Sequence, residues 1–169
     1  VRQASGTIHV FTFKEGLLAS AAHDLRLRFE RFTCRLDGAA LKVVIDLNSL
    51  RVDGPVRGGV VDAGAYDAHR RDEIERAARK QVLRTERFPA AEFTGQATPR
   101  QGGFDVHGAL ALAGRAGPLA FAVTEDQGAY RAAFELRPSQ WGIAPYSALL
   151  GTIRVQDRVR IELAFGETD

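Results

Sequence analysis

The chain has 169 residues, 45% of them hydrophobic and 26% charged, with 17 glycines. That balance excludes a disordered or collagen-like chain, and the length is that of one domain, which buries roughly 70% of its unfolded surface. A net charge of +2, from 23 basic and 21 acidic residues interspersed along the chain, points to no nucleic-acid partner, and the single cysteine, Cys34, excludes an intrachain disulfide and a cysteine-based zinc site.

The N-terminal segment starts at Val1 and runs straight into a strand pattern, with no charged start, apolar stretch and small-residue cleavage site. The expectation is a cytoplasmic protein, or a periplasmic one if the chain is a processed mature form. No apolar run approaches the roughly 18 residues that a spanning helix needs.

Period-two alternation dominates, because successive side chains of a half-buried strand point to opposite faces. It predicts eight strands: Thr7 to Phe13, Leu25 to Phe32, Leu41 to Leu47, Ala91 to Ala97, Phe104 to Leu112, Leu119 to Thr124, Tyr130 to Leu136 and Ile153 to Phe165. Turn residues fall between them at Asp37-Gly38, Gln101-Gly102-Gly103, Gly114 with Gly117-Pro118, and Gln127-Gly128. Between the third and fourth strands, Asp53-Gly54-Pro55 and Gly58-Gly59 read as a loop. The spacing then changes to helical over Arg71 to Leu83, with Ile74, Ala77, Ala78 and Val82 on one face and Glu73, Glu75, Arg76, Arg79 and Lys80 on the rest. The result is an all-β domain spanning 1–169, an antiparallel barrel or a two-sheet sandwich with one short amphipathic helix. Closure into a barrel removes exposed edges.

Chemistry-bearing residues are sparse. His23-Asp24 is a candidate imidazole with an orienting acid, although an Asp just before a strand ordinarily makes a local turn bond. His9, His69 and His107 lack metal-ligand spacing, and His9 shares a face with Phe11 and Phe13, which allows an inward histidine, more often a hydrogen-bonded spacer than a ligand. Ser5, Ser20, Ser49, Ser139 and Ser147 lie in no nucleophile elbow, and the glycine pairs open no phosphate loop. Arg26, Arg28, Arg154, Arg158 and Arg160 form a basic stripe if their strands are neighbours, or else the solvated faces of half-buried strands. What remains is an apolar interior contributed by Leu25, Leu27, Phe29, Val43, Ile45, Phe93, Leu110, Phe121, Val123 and Phe134. An eight-stranded barrel is just wide enough to be filled by such side chains or to hold one small ligand.

Three segments carry a resemblance. Thr85-Glu86-Arg87-Phe88-Pro89-Ala90-Ala91-Glu92-Phe93 enters a strand directly after a helix. Val106 to Gly114 followed by Pro118-Leu119 gives a glycine-marked strand and hairpin. Ser139-Gln140-Trp141-Gly142-Ile143, with Gly151 ahead of Val155 to Leu163, gives an aromatic-glycine turn and a long final strand. In order and spacing these resemble the YceI family, of which the chain looks like a divergent branch, since His23-Asp24-Leu25 departs from the family pattern.

The resemblance implies a lipocalin-like barrel that holds a polyisoprenoid, such as a quinone tail, in an elongated pocket, with no catalytic residues, metal or cofactor. The expected function is non-enzymatic carriage or sequestration of a long apolar or amphipathic molecule. Its expected lining is Leu27, Phe29, Val43, Ile45, Phe93, Leu110, Phe121, Val123 and Phe134, with Trp141 and Ile143 in a wall near an opening. His23, Asp24 and Tyr146 are expected at the head group. The alternative is a filled barrel acting as an interaction module, with a homodimer formed through the small residues Ala109, Ala111, Ala120 and Ala122 unless the helix covers them. A lipid-acting enzyme with His23 as base ranks last.

Overall fold

The computed structural model describes residues 2–16 and 23–167; Ser20, among the serines weighed above, lies outside them. Twelve strands form one antiparallel sheet: β1 (Arg2–Glu15), β2 (Asp24–Phe29), β3 (Phe32–Asp37), β4 (Ala40–Asp46), β5 (Leu50–Arg57), β6 (Val60–Val61), β7 (Ala90–Arg100), β8 (Gly103–Leu112), β9 (Arg115–Asp126), β10 (Ala129–Leu136), β11 (Ser147–Ala148) and β12 (Ile153–Glu167). The antiparallel lipocalin-like class is as the sequence implies, but the number of strands is twelve rather than eight.

The sheet curls until β1 pairs with β12, from Ala4 opposite Glu167 to Glu15 opposite Arg154. From β12 the ladders run through β10, β9, β8, β7, β4 and β3, and β3 returns to β1 at Leu36 and Arg35. That ring contains eight strands, though not the eight expected: β3 belongs to it, while β2, which holds most of the expected Leu25 to Phe32 strand, lies outside it. The extra strands branch from it. Farther along β1 the partner is β2, which pairs with β5, and β5 with β6.

The expected strand from Leu25 to Phe32 is two strands that divide at Glu30-Arg31, letting β2 and β3 diverge to different neighbours. The expected loop at Asp53-Gly54-Pro55 is the middle of β5. Asp53 is the extra residue of a bulge, since Leu27 faces Val52 while Arg26 faces Gly54. Gly54 has φ 155°, and a Cβ there would come within 2.4 Å of the Asp62 carbonyl, so the close strand return requires glycine. Gly117-Pro118, read as a turn, lies inside β9.

The helical segment begins earlier than expected. α1 spans Ala68–Ala77, capped by the Asp67 side chain accepting from the Arg70 amide, and continues into a π-helical stretch, Ala78–Leu83, that ends at left-handed Arg84. It lies against β5, so it does not cover Ala109, Ala111, Ala120 and Ala122, which are exposed on the far side of the barrel. Ile74 and Ala78 pack on Leu27, Leu50 and Val52. The buried residue of α1 is nevertheless Glu75, placed by periodicity on the solvent side.

The main core joins Leu47, Ala91, Phe93, Ala97, Val106, Leu110 and Trp141, with Phe104, Leu36 and Leu41 packed against it. The last three sit where the β3–β4 and β7–β8 hairpins close one end of the barrel, and Phe104 meets the Tyr130 ring there at 6.1 Å. We call this the sealed end. At the other end lie Glu15, Asp24, Arg57 and Ile153.

Candidate functional site: an apolar cavity open toward one end of the barrel

Inward-facing residues of successive strands enclose a cavity of about 240 Å³. β1 contributes Ile8, Val10 and Thr12, β2 Leu27 and Phe29, β4 Val43 and Ile45, β7 Ala91 and Phe93, β8 Leu110 and Leu112, β9 Leu119 and Phe121, β10 Phe134 and Leu136, and β12 Val159, Ile161 and Leu163. Leu47, Leu50, Ala78, Val82, Leu83, Pro138, Trp141 and Ile143 complete it. Thr12 is the one hydroxyl in the lining. The indole N–H of Trp141 is already spent on the Leu110 carbonyl at 2.8 Å. Among the sequence-derived lining residues, Leu27, Phe29, Val43, Ile45, Phe93, Leu110, Phe121, Phe134, Trp141 and Ile143 all face this space. Val123 instead packs behind, on the core cluster toward the sealed end.

Position along each strand shows where the cavity sits. Ala91, Leu112, Leu136 and Pro138 line it, whereas Ala97, Val106, Phe104 and Leu36, nearer the sealed end, do not. The cavity is thus displaced toward the end bearing Glu15 and Asp24. There it shares Leu136 with a polar cleft of about 580 Å³ formed by Glu15, Glu135, Arg137, Gln140, Gln156, Asp157 and Arg158. Asp157 accepts from the Ser139 amide at 2.9 Å and from the Ser139 hydroxyl, and these bonds hold its carboxyl below the usual range. Gln156 donates to the Lys14 carbonyl.

Two aromatic arrangements define the wall. The rings of Phe121 and Phe134 stack at 4.4 Å with 17° between planes, and Phe93 tilts against Phe121 at 5.9 Å. The β9–β10 ladder extends only from Asp126–Ala129 to Thr124–Arg131. The residues after β10 then turn back through a 3₁₀ stretch, Pro138–Trp141, and lay the Trp141 indole over the backbone of Gly117, where an added Cβ would be 3.3 Å from three indole atoms.

The head-group candidates lie at this open end without lining the cavity. His23 is exposed, its ring 6.4 Å from that of Tyr66. The Asp24 carboxylate accepts from the Lys14 amide at 2.8 Å, a bond to the neighbouring strand β1 in place of the local turn bond expected of it. Tyr146 is half-buried, and its carbonyl accepts from the Val155 amide.

His9 is not inward. Ile8, Val10 and Thr12 take the cavity face, so His9, Phe11 and Phe13 point outward. There His9 Nε2 lies 3.7 Å from Asp53, whose carboxylate is bound by Arg26 at 2.7 Å and by Arg28. Burial and the neighbouring Arg26 lower the His9 pKa, outweighing Asp53 and Glu162. The arginines of β2 and β12 do flank β1 on one face, but apart from Arg154, for which no ion pair with a described residue is found, they are internally neutralised. Arg26 and Arg28 pair with Asp53, Arg158 with Glu135 and Arg160 with Glu162.

The known proteins that this architecture matches are consistent among themselves. The crystal structure of Burkholderia cenocepacia BcnA is 18% identical, covers 96% of both chains and gives a TM-score of 0.66. A polyisoprenoid binding domain from Saccharophagus degradans, implicated in plant cell wall breakdown, is 14% identical, covers 99% of this chain and 98% of its own, and gives 0.65. The YceI protein of Campylobacter jejuni is 13% identical over 85% of both chains at 0.51. At these identities the likeness is one of fold. No curated protein matches the chain in sequence. The model of the YceI-like domain matches residues 3–166, nearly the whole chain, and the protein therefore belongs to the YceI-like family.

Proposed function

We propose that the chain is a non-enzymatic carrier or sequestering protein for a long apolar or amphipathic molecule, an isoprenoid or related lipid, held inside the barrel. The observation that carries this reading is the cavity itself: an apolar space whose lining offers almost no free hydrogen-bonding group, displaced toward a polar cleft with which it shares Leu136. Such a lining rewards apolar carbon and little else, at about 0.8 kcal/mol per methylene removed from water. A volume of 240 Å³ takes roughly eight methylene-sized groups, each counted at about the 30 Å³ share of a water. A longer chain has to displace side chains, and the Phe121–Phe134 stack lies where it would do so. The polyisoprenoid binding domain from Saccharophagus degradans supports the choice of cargo. His23 has its neighbouring carboxylate engaged elsewhere, which weighs against an enzyme built on that pair.

The test is native mass spectrometry of the purified protein followed by denaturing extraction, and titration of the delipidated chain with geraniol, farnesol and geranylgeraniol. Stoichiometric co-purifying isoprenoid, or saturable one-to-one binding that strengthens with chain length, is expected. An unliganded mass together with no binding of any of the three would overturn the reading. The exposed alanine face would then be the better guide, and light scattering would look for a homodimer.

A further inference from the structure

The geometry points to the open end of the barrel as a surface that docks on an anionic lipid bilayer. Among the described residues the exposed large hydrophobics are Leu150, fully exposed at 107%, and Val60, at 69%. Both occupy hairpin tips at the same end. Val60 follows the Gly58-Gly59 turn opposite Arg57, and Leu150 lies in the turn between β11 and β12, next to the register pair of Glu15 and Arg154. Four strand spacings separate the two hairpins, about 19 Å at the usual inter-strand distance. They therefore form two separated feet, too far apart to cover each other.

The charge around these feet fits a phosphate-bearing surface. Arg57, Arg115, Arg137 and Arg154 are exposed at this end, and none is closed into an ion pair with a described residue. Of the carboxylates near them, Asp24 and Asp157 are turned back onto the Lys14 amide and onto Ser139 and Glu135 is paired with Arg158, leaving Glu15, Asp62 and Glu86 exposed. The turns of the sealed end instead carry Asp37, Glu125 and Asp126, while Arg100 of the β7–β8 turn is paired with Asp105 at 3.1 Å. The barrel thus presents cationic, apolar-tipped loops at one end and acidic turns at the other. Long guanidinium side chains reach the phosphate level while short apolar tips enter the interface. This orientation points the open end of the cavity at the bilayer, whatever the cavity holds.

The test is flotation of the full chain with vesicles of phosphatidylcholine alone, and of two parts phosphatidylcholine to one part phosphatidylglycerol. Binding is expected only to the anionic vesicles and should weaken with added salt. Neutralising Arg57→Gln and Arg154→Gln should each lower the partition coefficient about fivefold, and Val60→Glu with Leu150→Glu should abolish it. Gln101→Glu at the sealed end should change nothing. All these side chains are solvent-facing, and unchanged circular dichroism will confirm that each variant folds. Failure of the wild type to float, equal binding to neutral vesicles, or an equal loss from Gln101→Glu would overturn the proposal. So would a wild type that does not float but forms a dimer dispersed by the Val60 and Leu150 substitutions, which would assign the tips to a second copy.

Discussion

The carboxylate of Glu75 accepts a hydrogen bond of 3.0 Å from the backbone amide of Val52, both residues being buried. Val52 sits in β5, whose other edge pairs with β2, so its outward amide has no strand to receive it. A helix cannot offer a backbone ladder to a sheet edge, and α1 offers a side chain instead. Arg79 completes the substitution by donating to the Leu50 carbonyl at 3.3 Å.

Removing that acceptor strands a buried N–H, which costs roughly 1–3 kcal/mol. Glu75→Ala is therefore expected to lower unfolding stability by about 2 kcal/mol, and Glu75→Gln, which keeps a carbonyl oxygen in reach, by clearly less. Urea denaturation of the three proteins measures the difference. Equal losses for the two variants would mean that the charge facing Arg51 and Arg79, and not the bond to Val52, holds the helix in place.

Alternation exposed most of the wall, because a strand with one dry face must repeat every second residue, and the cavity lining from Leu27 to Phe134 follows from it. Two failures have identifiable causes. β5 carries Asp53-Gly54-Pro55, turn chemistry by any local criterion, but a bulged strand beside a helix tolerates both a proline and a glycine. β1 has apolar residues on both faces, and Phe11 with Phe13 outweighs Ile8 with Val10 by size. The outer ring of Phe13 is shielded by the Arg158 guanidinium at 4.1 Å from its centroid, a cross-strand relation that no single-strand pattern contains. Glu75 was illegible for the same reason, since its partner lies 23 residues away.

Trp141 and Gly117 should behave as one unit. Trp141→Phe removes the donor to the Leu110 carbonyl and is expected to cost about 1–2 kcal/mol. Gly117→Ala pushes a methyl against the indole and should cost about 1–3 kcal/mol. The indole atoms nearest Gly117 are Cε2, Cζ2 and Nε1, part of the fused ring system that phenylalanine lacks. Gly117→Ala should accordingly cost less in the Trp141→Phe background, with a coupling of at least about 0.5 kcal/mol. Strict additivity in chemical denaturation would separate the two residues.

Phe121→Ala enlarges the cavity and removes one partner of the ring stack. The fold should weaken by about 3 kcal/mol, while chain-length preference shifts toward longer isoprenoids, because the space opened lies beside the existing cavity. The readout is the ratio of geranylgeraniol to geraniol affinity in the wild type and in the variant at a temperature where both are folded. An unchanged ratio with binding intact would place the ligand somewhere other than against Phe121.

His9 gives the molecule a pH dependence of predictable sign. Its neighbours from every packed strand are Arg26 and Arg28 on β2, Asp53 on β5 and Glu162 on β12. The 3.7 Å approach to Asp53 looks like an ion pair in waiting. That carboxylate already serves two guanidinium groups, however, and a protonated imidazole would be a third cation in a half-buried place. The folded-state pKa is consequently below the ordinary 6.5, and the unfolded chain takes up the proton first. Stability from this group is thus fully present above pH 6.5 and declines as the pH falls through that value toward the lowered folded pKa. The carboxylates of Asp46 and Asp157, held down by Arg31 and by Ser139 respectively, make their own losses only below 3.8, which leaves the His9 window separate. Thermal melts across roughly pH 8 to 5 should show Tm falling in the acid half for the wild type, and a flatter profile for His9→Gln. A wild-type Tm that rises on acidification through this range would mean that the Asp53 attraction prevails over burial and Arg26.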